Sequence, residues 1–325
     1  MSTIKEVAKR AGVSVGTVSK VINQIEVKPK TKLAVEAAIR ELNYQPNIYA
    51  RGLKVNRTNT IALILPTVWH PFFSELAYNI EQNLRRLGYK MILCNSEGDY
   101  KTELSYITMA KQNQVDGIIA ITYSDIEPYI SSNIPIISID RFFNDDITYV
   151  SSDNFEGGYL AASKLVEAGC QSLCFIGEGS RKENTTRNRK KGFITYCQEQ
   201  QIDYQSCDMI GDHAKFIENL DIFLKENIVE QQKIDGIFAV TDAYALLVLN
   251  RLMKYGISVP DDIQIIGFDG IKSSKDDLIQ ISTIRQPIEF IAKESVEAIN
   301  ALVNKESIRK EILLPVEFIK GYTTK

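Results

Sequence analysis

Residues 3–22 read Thr3-Ile4-Lys5-Glu6-Val7-Ala8-Lys9-Arg10-Ala11-Gly12-Val13-Ser14-Val15-Gly16-Thr17-Val18-Ser19-Lys20-Val21-Ile22. Ile4, Val7, Ala8 and Ala11 recur at the i, i+3, i+4, i+7 spacing of a helix with one buried face. Thr3 stands at the capping position, and Glu6 completes a capping box. Gly12 supplies a turn. Ser14 then opens a second helix through about Ile22, with Val18, Val21 and Ile22 facing inward. Thr31 opens a third, with Val35, Ala38, Ile39 and Leu42 inward at the same spacing. Two short helices around a glycine turn, closed by a third, make a helix-turn-helix, whose second helix enters the major groove of DNA. Its outward positions are Val15, Gly16, Ser19 and Lys20. Val15 can meet a thymine methyl, Ser19 a base or phosphate, and Lys20 guanine acceptors, while Gly16 lets the backbone come close. A three-helix protein-binding module would share the pattern.

Charge separates these readings. Residues 1–57 hold eleven basic and four acidic residues, a net +7, while the rest holds 27 basic and 37 acidic, a net −10. A basic head on an acidic body points to a polyanion as the partner of the head alone. The 325-residue length suggests about two domains, and 44% apolar with 24% charged residues excludes collagen-like and disordered chains. No apolar run approaches a membrane span and no signal-like segment follows Met1, so a cytoplasmic protein without membrane contact is expected. Five cysteines, an odd number, cannot form a fully paired disulfide framework, which again fits a reducing compartment.

The segments Thr3-Ile4-Lys5-Glu6-Val7-Ala8, Ala11-Gly12-Val13-Ser14, Thr17-Val18-Ser19 and Asn43-Tyr44-Gln45-Pro46-Asn47 resemble, in register, the DNA-binding head of the lactose-repressor/galactose-repressor family of bacterial transcription factors. The resemblance continues through the whole chain. Lys20 departs from the family's more frequent Arg and loses the bidentate fork on guanine. Pro46 breaks helix three. Residues 47–54 could form two helical turns, too short to stand alone in water. The resemblance implies that this stretch folds on DNA as a hinge helix, paired with a second copy in the minor groove, with Leu53 wedged between base pairs. The alternative is a plain linker. The expected DNA-contacting set is completed by Thr3, Ser14, Thr17 and Asn23 on the head and by Tyr49, Ala50 and Lys54 on the hinge.

From Thr60 onward apolar strands alternate with helices, which implies parallel sheets covered on both faces. Expected strands are Ile61–Leu65, Met91–Cys94, Gly117–Ile121, Ile134–Ile139, Leu173–Ile176, Gly236–Val240, Ile263–Phe268 and Ile312–Ile319. Expected helices are Phe72–Leu87, Glu103–Gln112, Phe155–Ala168, Arg187–Glu199, His213–Asn227, Ala243–Lys254 and Ile288–Asn304. Gly88, Gly169 and Gly256 each stand at a helix end before an apolar strand. The predicted fold is a small all-α helix-turn-helix head on an α/β body of two parallel-sheet subdomains. The resemblance makes that body periplasmic-binding-protein-like, with the chain crossing between halves near Asp153, Thr283 and Leu313. The expected domains are residues 1–45, a hinge at 46–58 and a body at 59–325. Within the body, subdomain N is about 59–153 plus 284–312, and subdomain C about 154–283 plus 313–325.

Two such halves leave a cleft at the carboxyl ends of the strands, where small ligands bind. Strand ends deliver Asp140, Asp269, Thr241 and Asp242 there. Carboxylates suit vicinal sugar hydroxyls because each accepts two hydrogen bonds. Asp242 also suits a helix N-cap, and Asp140 an inter-lobe framework role. Arg189, in Arg189-Lys190-Lys191-Gly192-Phe193, matches the family's effector-gripping arginine, and Phe72 and Phe73 match its cleft-lining positions, one of the two being core. Thr241 departs from a frequent Asn, and His213 stands where several relatives carry an aromatic ring.

Catalytic readings find little support. Only His70 and His213 exist, no Gly-x-Ser-x-Gly nucleophile turn or Walker-type loop occurs, and Gly177-Glu178-Gly179 lacks the third glycine of a dinucleotide site. No catalytic residue, metal or cofactor is expected. The expected function is an operator-binding repressor of sugar-utilisation genes. It would be a homodimer on near-palindromic operator DNA, controlled by a sugar or sugar phosphate. The alternative is a cytoplasmic sugar-binding protein or sugar enzyme with an incidental basic head.

Overall fold

The computed structural model describes residues 2–22, 25–44, 57–122, 124, 126–129, 134–143, 146–179, 184–211 and 213–325. The chain divides into two compact units, Met1–Thr58 and Asn59–Lys325.

In the first unit, α1 (Ile4–Ala11) begins with the expected capping box: the Glu6 amide donates to Thr3 Oγ1 at 3.3 Å and the Thr3 amide to the Glu6 carboxylate at 2.7 Å. Gly12 ends it at φ +67°. Ser14 Oγ accepts from the Thr17 amide at 3.1 Å and opens α2 (Val15–Ile22). Helix α3 (Pro29–Glu41) begins two residues before the expected Thr31. Pro29 supplies the first-turn φ and has no N–H to leave unbonded there. Val7, Ala8, Val18, Val21, Val35 and Ala38 form the core, with Ile39 and Leu42 half-buried against it. Arg10 pairs with Glu41 at 2.7 Å.

The second unit holds two six-stranded sheets. The first contains β1 (Thr60–Leu65), β2 (Lys90–Asn95), β3 (Gly117–Ala120), β4 (Ile136–Ile139), β5 (Thr148–Ser152) and β11 (Glu311–Leu314). Its order is β11-β5-β4-β3-β1-β2, parallel throughout. Helices α4 (Pro71–Arg86), α5 (Tyr100–Gln112) and α10 (Ile288–Val303) cover it. The second contains β6 (Ser172–Gly179), β7 (Asp203–Ile210), β8 (Gly236–Ala239), β9 (Gln264–Asp269), β10 (Thr283–Arg285) and β12 (Glu317–Ile319), ordered β12-β10-β9-β8-β6-β7. Only β12 runs antiparallel. Its helices are α6 (Asn154–Glu167), α7 (Arg187–Glu199), α8 (His213–Leu224) and α9 (Asp242–Lys254).

Three strands absent from the sequence reading are present: β5, β7 and β10. The expected strand Ile312–Ile319 is two, because Pro315 interrupts it and its halves join different sheets. β10 lies in the second sheet, so the chain crosses to α10 through Gln286-Pro287 rather than near Thr283. The other crossings fall at Asp153 and at Pro315-Val316. They are tied together, since the Asp153 amide donates to the Leu314 carbonyl at 2.8 Å. All five cysteines are buried free thiols. No described helix is long and apolar enough to cross a membrane.

Candidate functional site

On the head, α2 presents Val15, 41% exposed, with Gly16 and Lys20 exposed and Thr17 and Ser19 half-buried beside them. A Cβ added at Gly16 would meet only Ser14 Oγ, at an ordinary 3.7 Å. Glycine inside a helix costs about 0.5–1 kcal/mol relative to alanine, and nothing in the packing of the described head residues requires it at this position. Ser14 and Thr17 bond to each other at 2.9 Å. Asn23, Tyr49, Ala50, Leu53 and Lys54 lie outside the described residues.

In the body, Asp140 and Asp269 end β4 and β9 at positive φ, +57° and +111°. Backbone in such sparsely populated regions persists where surrounding structure holds it, often at functional sites. Between them lies Arg189, 2% exposed. Its Nε donates to Asn154 Oδ1 at 2.7 Å, and its Nη1 to the Val240 carbonyl at 2.8 Å and Asp269 Oδ1 at 3.5 Å. Its guanidinium lies 3.6 Å from the centre of the Phe268 ring. Gln286 Nε2 donates to Asp269 Oδ1 at 2.7 Å, and Ser151 Oγ to Asp140 Oδ1 at 2.9 Å. The Thr185 amide and hydroxyl both donate to the Asp140 carbonyl, at 3.2 and 2.9 Å, joining the start of α7 to the end of β4.

The sequence explains how Arg189 arrives there. Helices α6 and α7 touch at Gly158 and Gly192. A Cβ at Gly192 would sit 1.9 Å from the Phe155 carbonyl oxygen, and one at Gly158 would sit 1.8 Å from that of Arg189. The glycine of Arg189-Lys190-Lys191-Gly192-Phe193 therefore sets the interhelical distance that brings Arg189 onto Asn154.

Burial pushes the carboxyls of Asp140 and Asp269 above the usual range, opposed by the charge of Arg189 and, at Asp269, by that of His70. Asp242 is pushed up to about 8, by burial first and by the charge of Asp269 second. It is not the cap of α9. Thr241 is, its hydroxyl accepting from the Tyr244 amide at 3.4 Å. Asp242 instead accepts from Thr283 Oγ1 at 2.6 Å and the Ile271 amide at 2.7 Å. A carboxyl held above its unfolded value contributes stability that is complete below that value and is lost as pH rises through the folded one. The stability of the body should therefore fall from pH 3.8 towards pH 8. Asp242→Asn should flatten that fall, as read from urea midpoints across the range. An unchanged slope would contradict it.

Asp140, Arg189 and Asp269 are thus brought together. Phe72 is not with them: it is 4% exposed, within the core of the first lobe. Phe73 is half-buried, edge-on to Phe72 and His70 at 5.2 and 5.7 Å. His213 lies elsewhere, bonding Glu178 Oε2 at 2.9 Å, which also accepts from the Tyr244 hydroxyl at 2.9 Å. The sequence reading missed Ser151, Asn154, Thr185, Phe268 and Gln286. Asn154 and Gln286 adjoin the crossings, and that proximity was the available signal.

A three-helix head with an open second helix, in one chain with a two-sheet body that gathers ionisable groups at its strand ends, defines a helix-turn-helix regulator with a binding-protein-like body. Comparison with known proteins agrees. Residues 3–47 match the family model described as bacterial regulatory proteins, lacI family, and residues 162–324 match that of the periplasmic binding protein-like domain. The chain is 37% identical over 324 residues to a sucrose operon repressor of Pediococcus pentosaceus, covering 98% of each. It is 36% identical over 329 residues to the ribose operon repressor of Bacillus subtilis strain 168, covering 100% of this chain and 99% of that one. Among solved structures, the lac repressor dimer bound to operator and the anti-inducer ONPF superimposes with a TM-score of 0.83 at 25% identity, covering 99% of this chain and 98% of that one. The chain belongs to the LacI family of bacterial transcriptional regulators. It is a DNA-binding repressor and not an enzyme.

Proposed function

We propose that this repressor acts in the cytoplasm as a homodimer on a near-palindromic operator and that a sugar or sugar phosphate in the inter-lobe cleft controls its grip. On the head, Val15, Ser19 and Lys20 read base edges and Gly16 lets the backbone come close, while Thr3, Ser14, Thr17 and Asn23 hold the backbone. Tyr49, Ala50, Leu53 and Lys54 form the minor-groove hinge. In the body, Asp140, Arg189 and Asp269 bind the effector hydroxyls, with Phe73 and Thr241 at the margins. The gathering of two strand-end carboxylates around one buried guanidinium supports this reading most directly. Acceptors and a rigid donor fork converging in one place suit a polyhydroxylated ligand. The named relatives, repressors of sucrose and ribose operons, support the same class.

Ligand changes operator affinity only through its different affinity for the DNA-bound and released states. A gel shift on operator duplex at several salt concentrations, run beside a thermal-shift screen of sugars and sugar phosphates, tests both halves. Operator binding should weaken steeply with salt, by a log–log slope of about −0.9 per phosphate contacted. Salt-independent binding, or no sugar raising the melting temperature, would count against the reading. Leu53→Ala should weaken operator binding and straighten the duplex while ligand binding stays intact. An equally tight, equally bent complex would contradict the wedge.

A further inference from the structure

A cavity of about 240 Å³ lies at the carboxyl ends of β6 and β7, beside the start of α7. Phe175 and Val240, both buried, give it an apolar floor. Gly177 and Gly179, the incomplete dinucleotide loop of the sequence, line it without side chains. A Cβ at Gly177 would fall 2.6 Å from Val240 Cβ, so glycine there lets Val240 close the floor. A Cβ at Gly179 would meet nothing nearer than Ile210 Cγ1 at 3.5 Å, so that side stays open. The volume is below the usual range of a whole small-molecule site and suits one end of a ligand. Arg187, Lys190 and Lys191 also line it, with Asp208 and Glu178. Both carboxylates are engaged. Asp208 takes Lys190 Nζ at 2.6 Å, and Glu178 takes the Tyr244 hydroxyl and His213, each at 2.9 Å. Three cations against two carboxylates leave the lining net positive, inside a body of net −10. On α7, Arg187 stands three and four residues before Lys190 and Lys191, the spacing at which like charges repel. An anion in the cavity relieves that repulsion.

The cavity shares a row of strand ends with the buried cluster. The second sheet runs β9-β8-β6-β7 at this end, so β6 stands two strands, roughly 10 Å, from β9 and Asp269. Val240 joins the two places: its side chain lines the cavity while its carbonyl accepts from Arg189 Nη1 at 2.8 Å. A guanidinium grips two phosphoryl oxygens at once, and an ammonium adds a point charge. Resting on the reading of Asp140, Arg189 and Asp269 as a sugar site, we infer that the effector is a phosphorylated sugar. Its ring lies on that cluster and its phosphoryl group enters this cavity beside Arg187 and Lys191.

Calorimetric titration of the full chain tests this. The probes are ribose, fructose and sucrose, then ribose 5-phosphate, fructose 6-phosphate and sucrose 6-phosphate, and inorganic phosphate alone. At least one phosphorylated sugar should bind about tenfold or more tightly than both its parent sugar and inorganic phosphate. The Arg187→Gln/Lys191→Gln double variant should lose that advantage and bind the parent sugar as wild type does. Gly179→Leu, whose side chain fills the cavity, should do the same. Both variants are first checked for an unchanged urea midpoint. Arg189→Lys should weaken parent and phosphorylated sugar alike, which separates the cluster from the cavity. A sugar bound as tightly without its phosphoryl group would overturn the inference and leave the cluster standing as a sugar site. So would a phosphoryl preference that survives both cavity variants, or inorganic phosphate bound as tightly as any phosphorylated sugar. No binding of any sugar, phosphorylated or not, would overturn the cluster reading together with it.

Discussion

Gly192→Ala is expected to destabilise the body by roughly 1–3 kcal/mol or more and to abolish the effector response. The new methyl would fall 1.9 Å from the Phe155 carbonyl oxygen and 2.8 Å from the Tyr159 nitrogen. Both are backbone atoms of α6 and no rotamer change relieves them, so the helices must part. Parting them draws α7, and Arg189 with it, away from Asn154 and the Val240 carbonyl, 2.7 and 2.8 Å away in the native packing. Gly158→Ala meets the same obstacle from the other helix, at 1.8 Å from the Arg189 carbonyl. Urea unfolding of both variants checks this. Midpoints equal to wild type would show that α6 and α7 are not held at that distance.

Arg189→Ala is expected to cost about 3–5 kcal/mol, because removing one partner of a buried charged pair leaves the other uncompensated. The groups abandoned are Asp269, 4% exposed, with Asn154 Oδ1 and the Val240 carbonyl. The cost should depend on pH with a definite sign. Arg189 holds Asp140 and Asp269 below where burial alone would put them. Below the ordinary carboxylate range both are protonated in either state and the guanidinium has less to stabilise. The difference between variant and wild type should therefore grow from acid to neutral pH. Effector binding loses a charge-assisted contact of about 1.5–3 kcal/mol as well. Any of the variant that folds should repress permanently if the ligand is an inducer, or fail to repress if it is a corepressor. A pH-independent difference in urea midpoint, with ligand binding retained, would move the effector site away from Arg189.

The head was legible almost to the residue because its signals are local: a capping box, a glycine turn and the i, i+3, i+4, i+7 apolar spacing. The start of α3 was misread because Thr31 looks like a cap while Pro29 is the better first helical residue. In the body the missing strands are those whose sequence lacks a buried run. β7 is an edge strand carrying Asp203, Gln205, Ser206 and Asp208, exposed or half-buried. β5 ends in Ser151 and Ser152, and β10 is three residues long. Of the site, Asp140, Arg189 and Asp269 were readable from strand ends and one motif. Their supporting residues were not, since Ser151, Thr185 and Gln286 meet only when the lobes are assembled. The burial of Phe72 was undecidable from the pair Phe72-Phe73, because both adjoin the same helix start. Which ring turns inward is fixed by packing against the first sheet.

The most direct test begins by selecting duplexes from a random pool with the full chain. Operator affinity is then measured by fluorescence anisotropy with sucrose, fructose, ribose and their phosphates present in turn. The expected result is a near-palindromic selected duplex that binds two chains. One of these ligands should shift its affinity by about 5–150-fold, the usual span of allosteric coupling, in wild type but not in Arg189→Lys. A pool that yields no shared sequence, or a ligand that shifts wild type and Arg189→Lys alike, would contradict a repressor governed from the Asp140–Arg189–Asp269 cluster.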